Sequence, residues 1–193
     1  MTLKEKPAAP SPSLLLDTLR INFVRANGDS VASTQVFHHK LVALYFSASW
    51  CPPCQQFTPI LMEGYEKIRE AHGHLSFEVV LVPRDRAHAE WDKYLSKMPW
   101  VSIPFGHKAI MELKEQFDVT AVPRLIVVTN RGNLVTANAR GGHGFGFCCN
   151  PMDAYQFLCH EAGFPLPRPL HLANEAEAQL KRRHSKERLA DGG

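Results

Sequence analysis

The chain reads as an α/β protein in which a mixed central β-sheet is flanked by helices. Three observations point there. Apolar, β-branched runs alternate with stretches of helical spacing through the middle of the chain. Two short runs then flank a turn-forming tetrapeptide, Asn130-Arg131-Gly132-Asn133, as in a β-hairpin. A capped helix follows them. Strands alternating with helices, then a terminal hairpin and helix, make an α/β sandwich.

The elements follow in order. Residues 1–17 are rich in Pro, Ala and Ser and are expected to form a flexible tail. Leu19 to Val24 alternates in strand fashion. Asn27-Gly28-Asp29 is a turn signal, and Ser30 to Thr34 returns as a second strand. Leu41-Val42-Ala43-Leu44-Tyr45-Phe46 is a buried strand. From Gln55 towards Glu70, Phe57, Ile60, Leu61, Tyr65 and Ile68 share one helical face, and Pro59 is expected to bend that helix. Phe77 to Val82 is another buried strand. Arg86 to Lys97 is a helix with Trp91, Tyr94 and Leu95 on its apolar face, and Ala109 to Phe117 is a shorter one. Leu125 to Val128 and Leu134 to Ala137 form the hairpin. Asn150 is a good N-cap, Pro151 suits the first helical position, and Gly163 ends a helix over Met152 to Ala162.

Prolines at 165, 167 and 169 close the domain, which is expected to span residues 18–165. The remainder, 166–193, places Glu175 and Glu177 before Lys181, Arg182, Arg183, Lys186 and Arg188, an order that suits a helix dipole. Its apolar stripe of Leu172, Ala176 and Leu180 is too narrow to bury much surface. A solvated tail is the expectation; a helix for a partner or an anionic surface is the alternative.

Composition narrows the class. The 193 residues, 45% of them hydrophobic, suffice for one domain with a core. No apolar run approaches the roughly 18 residues of a membrane span, and the N-terminus lacks a secretory h-region, so a cytoplasmic location is expected. The net charge of +3 is too small to argue for nucleic acid. Five cysteines in a reducing compartment should rest as thiols, which fits a catalytic pair better than a stapled scaffold.

That pair is Cys51 and Cys54 in Trp50-Cys51-Pro52-Pro53-Cys54, where the central strand gives way to a helix. Helical neighbours at this spacing lie roughly 5–6 Å apart, within reach of a disulfide. The first turn presents unpaired N–H groups and the positive dipole end, both of which favour a thiolate. Pro52 and Pro53 lack only N–H groups that would have no partner there, and their fixed φ suits the turn. Cys51, nearer the loop, is expected to attack; Cys54, one turn in, is expected to resolve the mixed disulfide. A structural disulfide or half a zinc site are the competing readings, but a zinc ribbon wants a second Cys-x-x-Cys and there is none. No metal site is expected, and the histidines show no metal spacing.

Phe46-Ser47-Ala48-Ser49-Trp50-Cys51-Pro52-Pro53-Cys54 with Phe57-Thr58-Pro59 resembles the tryparedoxin and nucleoredoxin branch of the thioredoxin superfamily. Phe77-Glu78-Val79-Val80, Lys97-Met98-Pro99-Trp100 with Ile103-Pro104-Phe105, and Val119-Thr120-Ala121-Val122-Pro123 extend the resemblance over roughly residues 20 to 140. It implies a thioredoxin-like fold and a thiol–disulfide oxidoreductase that works through its own Cys51–Cys54 disulfide, without a separate cofactor. It also implies a low-molecular-weight dithiol reductant, trypanothione or glutathione-like, and disulfide-containing protein partners such as peroxiredoxins. A monomer is expected. A nucleoredoxin-like redox-sensing binding module with little turnover is the alternative.

The resemblance also assigns neighbours of the pair. Tyr45 stands where thioredoxins hold a buried acid, and a phenol with pKa near 10 is no carboxylate base; otherwise Tyr45 is a core aromatic. Trp50 is expected to cover the nucleophile and shape the partner surface, or simply to pack. Pro123 matches the family's cis-proline facing the cysteines, which would leave Val122 backbone groups for an incoming peptide. Arg124 replaces a usual small Thr and either sits beside the thiols or points into solvent. Pro83-Arg84-Asp85-Arg86 replaces an acidic or Ser-Ala-Asp-like loop and argues against a cationic dithiol. Gly141 to Gly146 lacks the Lys and Ser/Thr of a phosphate loop, and Cys148, Cys149 and Cys159 are expected to be small buried hydrophobes.

Overall fold

A computed structural model of the chain describes residues 11–38, 41–141 and 146–164. Helix α1 (Pro12–Thr18) precedes strands β1 (Asn22–Val24) and β2 (Ser30–Ala32) and the short helix α2 (Ser33–Val36). Strand β3 (Leu41–Ser47), helix α3 (Pro52–His72) and strand β4 (Phe77–Pro83) form a core unit of strand, helix and parallel strand. Helix α4 (His88–Leu95), strand β5 (Val101–Ser102) and helix α5 (Ala109–Gln116) follow. The hairpin of β6 (Arg124–Thr129) and β7 (Leu134–Thr136) leads to the last described helix, α6 (Pro151–Glu161).

The seven strands form one mixed sheet in the order β2-β1-β5-β4-β3-β6-β7. Strand β3 lies at its heart, parallel to β4 and antiparallel to β6. Strand alternation sorts the core into two layers. Tyr45, Val79, Leu81 and Leu125 face α3, α4 and α6, with Phe57, Leu61, Trp91, Tyr155 and Leu158 packed on them. Leu44, Phe46, Val80 and Ile126 face the other way, against Leu15 of α1 and Ile110 and Leu113 of α5. The expected α/β sandwich is therefore the fold. No described helix is long and apolar enough to cross a membrane.

Some expectations need correction. Residues 12–17, assigned to a flexible tail, are the helix α1: Ser11 caps it, Pro12 opens it, and Leu15 with Leu19 is fully buried. The i, i+4 spacing of these two leucines gives one inward stripe, which composition alone concealed. Leu19 to Ile21 consequently leave the first strand, and the domain boundary moves ahead of residue 18. Ser33 and Thr34 belong to α2 rather than β2, because the Gln35 side chain accepts the Ala32 N–H at 3.2 Å and closes a helical turn. The helix runs through Pro59 to His72. Strand β5 was not expected; two residues cannot show a period. Residues 1–10, the glycine-rich 142–145 and the charged 166–193 lie outside the described residues.

Candidate active site

Strand β3 ends at Ser47, and after three intervening residues the chain turns into α3 with Cys51 as its N-cap. Two prolines fill the first two helical positions, so the first N–H available to the cap is that of Cys54. It donates to the Cys51 sulfur at 3.3 Å. The Cys51 thiol in turn donates to the carbonyl of Val122 at 3.7 Å, across from the cis Val122–Pro123 peptide that the family resemblance implied. Both cysteines are free thiols. Cys51 keeps 4% of its surface exposed and Cys54 none, so an incoming disulfide can reach only Cys51. Pro52 and Pro53 are exposed beside it.

Cys54 sits in a different environment. Burial pushes its thiol up to about 11, the hydrogen bond to Cys51 adds to this, and hydrogen bonds with Ser47 and the Ala48 backbone pull part of the way back. Beneath it lies a cluster of four buried hydroxyls. The Thr58 hydroxyl donates to the Cys54 carbonyl at 2.8 Å and lies 2.9 Å from the Tyr45 phenol and 2.7 Å from that of Tyr94. Tyr94 is 2.9 Å from the Ser47 hydroxyl. Tyr45 is thus both a core aromatic, edge-on to Phe57 and Trp100, and a hydrogen-bonded neighbour of Cys54. Burial above all, then the Tyr94 phenol, raises Tyr45 far beyond the ordinary phenol range, so it stays protonated. Ser47, Thr58 and Tyr94 escaped the sequence reading as polar groups. The only signal was a serine closing an otherwise apolar strand, and a tyrosine counted for its ring.

Trp50 is 47% exposed and held sideways. Its indole N–H donates to the Arg84 carbonyl at 3.1 Å, and the Arg86 guanidinium lies 5.2 Å over its ring. The loop after β4 is pinned from the other side, where Asp85 accepts the Ser49 N–H at 2.8 Å. Between this loop, α5 and Val122 runs a groove of about 590 Å³. Arg124 lies elsewhere. It is in register with Phe46, whose side chain packs on the sheet face opposite α3. Among the described residues, no hydrogen bond or ion pair joins it to either cysteine. Alternation therefore turns Arg124 to the sheet face that α1 and α5 cover, where it is half-buried. Of the other cysteines, Cys159 is buried as expected, whereas Cys148 and Cys149 are exposed at the loop before α6. Among the described residues no group of three His, Cys, Asp or Glu side chains could hold a metal.

A solvent-reachable cysteine capping a helix, a buried partner one turn in, and a cis-proline opposite define a thioredoxin-type dithiol site. The chain belongs to the Thioredoxin-like family, which matches residues 39–134. The tryparedoxin of Trypanosoma brucei brucei is 44% identical over 103 residues, 52% of this chain and 69% of that protein. Human nucleoredoxin is 32% identical over 178 residues, which cover 91% of this chain. The chain spans only 37% of the human nucleoredoxin and 26% of probable nucleoredoxin 1 of Arabidopsis thaliana. A solved tryparedoxin II, complexed with glutathionylspermidine, superposes with a TM-score of 0.59 at 34% identity, covering 66% of this chain and 88% of that one.

Proposed function

We propose that the chain is a thiol–disulfide oxidoreductase that reduces protein or low-molecular-weight disulfides through Cys51 and Cys54. The observation that carries this reading is the asymmetry of the pair. Cys51 sits at a helix N-terminus with an N–H aimed at its sulfur, while Cys54 is buried and held as a thiol. The Cys51 thiolate attacks one sulfur of the substrate disulfide, the S–S bond breaks, and one half leaves as a thiolate. Cys54 then gives up its proton and attacks the Cys51 sulfur, releasing the second half and leaving a Cys51–Cys54 disulfide. Two electrons pass from the dithiol to the substrate, and an external dithiol restores the pair.

The proton of Cys54 needs an acceptor, and Tyr45 is not one. The departing substrate thiolate, formed at Cys51, is a base of suitable strength, and a hydrogen bond from Ser47 favours the Cys54 thiolate that results. The glutathionylspermidine bound by a related tryparedoxin supports a low-molecular-weight thiol as one partner. Peroxiredoxin-type disulfides are the protein partners we propose, met by a monomer in the cytoplasm. Cys51→Ser should abolish reduction of insulin or glutathione disulfide, and Cys54→Ser should accumulate mixed disulfides visible by mass. Activity retained in Cys51→Ser would overturn the assignment. The nucleoredoxin match over 91% of the chain favours a second reading, a redox-sensing binding module. Partner capture that needs the reduced pair, without multiple turnovers, would select it.

A further inference from the structure

The groove beside Cys51 carries cations that no carboxylate among the described residues pairs. Arg84, Arg86 and Lys114 line it, together with His107, and it reaches Trp50 and Val122, the neighbours of the attacking sulfur. Among the described residues none of the three cations is in an ion pair, although Lys108 on the same α5 side finds Glu112 at 3.2 Å. The Arg84 side chain reaches the Met111 sulfur at 3.5 Å, and Arg86 lies over the Trp50 ring. The His107 ring accepts the Ala109 N–H at Nδ1, 3.2 Å away, so a neutral His107 carries its proton on Nε2 as a further donor. The acid in the lining, Asp85, is turned inward. Its Oδ1 accepts the Ser49 N–H and its Oδ2 is shut off from solvent. A cleft whose walls are net positive, here three cations against one inward-turned carboxylate, concentrates anionic ligands.

We propose that this groove selects small peptide disulfides bearing free carboxylates, of the glutathione disulfide type, over neutral and cationic ones. The proposal rests on the oxidoreductase reading and names the substrate class of that site. A volume of about 590 Å³ suits a peptide of a few residues. Guanidinium groups pair with carboxylates in two-pronged fashion, and an ammonium supplies a point charge. A substrate carboxylate held by Arg84 or Lys114 leaves its disulfide to be drawn along Trp50 towards Cys51. A polyamine-linked thiol such as glutathionylspermidine would bring its ammonium groups against the same cations.

The test uses pre-reduced protein and three small disulfides: anionic glutathione disulfide, neutral bis(2-hydroxyethyl) disulfide and cationic cystamine. Formation of the Cys51–Cys54 disulfide in a single turnover is quenched by alkylation and read by mass. Each rate constant is divided by that disulfide's rate with dithiothreitol, which removes intrinsic reactivity. At about 0.01 M ionic strength the normalised rate should favour glutathione disulfide over cystamine by about tenfold or more. The ratio should shrink towards one near 1 M, where charges are screened within roughly 3 Å. The combined Arg84→Glu, Arg86→Glu, Lys114→Glu variant should reverse the order. Should that variant not fold, the salt dependence of the wild type decides alone. Reduction of the neutral disulfide without any charge ordering, or an ordering that salt leaves unchanged, overturns this proposal and spares the oxidoreductase reading. Failure of all three disulfides overturns both.

Discussion

Cys51 and Cys54 have the same side chain and stand one helical turn apart, yet their surroundings differ sharply. Cys51 accepts an N–H and touches solvent; Cys54 is enclosed, and its thiol is pushed up to about 11 mainly by that enclosure. A raised thiol pKa means the protonated form dominates at neutral pH, and the thiolate fraction climbs about tenfold per pH unit until the pKa is approached. In Cys51→Ser, alkylation of Cys54 followed by peptide mass mapping should therefore rise steeply from pH 7 to 10. A profile that levels off below pH 9 would contradict the burial argument. Ser47→Ala removes a hydrogen bond that lowers the Cys54 pKa, so alkylation should slow at every pH in that range, by several-fold. The cysteine pair was legible in the sequence because chemistry and spacing both lie within four residues. The hydroxyls around Cys54 come from β3, α3 and α4, and no local pattern joins residues 47, 58 and 94.

At the scale of elements, α3 is held by what packs on either side of it. Gly64 lies where α6 crosses: a Cβ there would meet the Pro151 Cβ at 2.6 Å and the Phe147 ring at 3.2 Å. Gly to Ala in a helix interior ordinarily stabilises by about 0.5–1 kcal/mol. Here overpacking should win, and Gly64→Ala should lose about 1–3 kcal/mol in a chemical denaturation curve. An increase in stability would show that α6 yields easily. The helix α1 offers a second case. Leu15 and Leu19 are fully buried against the sheet, and the Gln116 side chain of α5 donates to the Thr18 hydroxyl at 2.8 Å. Leu15→Ala should then cost about 2–5 kcal/mol. A change below about 0.5 kcal/mol in the same measurement would return these residues to the tail that their composition suggested. Elements with long periodic patterns, β3, β4, α3 and α6, were readable from spacing and caps. The elements that were missed, α1, α2 and β5, and the strands that were shortened, β1 and β2, are short, and contacts with distant residues sustain them.

For the molecule as a whole, the sheet sets a gradient of rigidity. Strands β3 and β4 are buried along their whole length and β6 nearly so, whereas the outer strands β2 and β7 keep exposed or half-exposed residues. Native-state hydrogen exchange should be slowest in β3, β4 and β6 and markedly faster in β2 and β7, because edge strands open without unfolding the core. Comparable protection in β7 and β3 would argue that the hairpin and the central strands unfold as one unit. The same gradient places the reactive sulfur well. Cys51 stands four residues beyond the end of the central, fully buried strand β3, so its position relative to Val122 is set by the middle of the sheet.

The sequence by itself determined the α/β class, the central strand, the helix that starts at the cysteines and the spacing of the cysteine pair at its first turn. These depend on period, capping and nucleophile chemistry, all of which act over a few residues. Only the tertiary structure decided the rest. It joined Ser47, Thr58 and Tyr94 beneath Cys54, sent Arg124 to the face away from α3, and turned the first helix onto the sheet. It also gathered Arg84, Arg86 and Lys114 around one groove. Each of these depends on which strand pairs with which and on the side from which a residue leaves the sheet. A shift of one residue in register reverses that side, and burial and unpaired charge become visible only when distant segments meet.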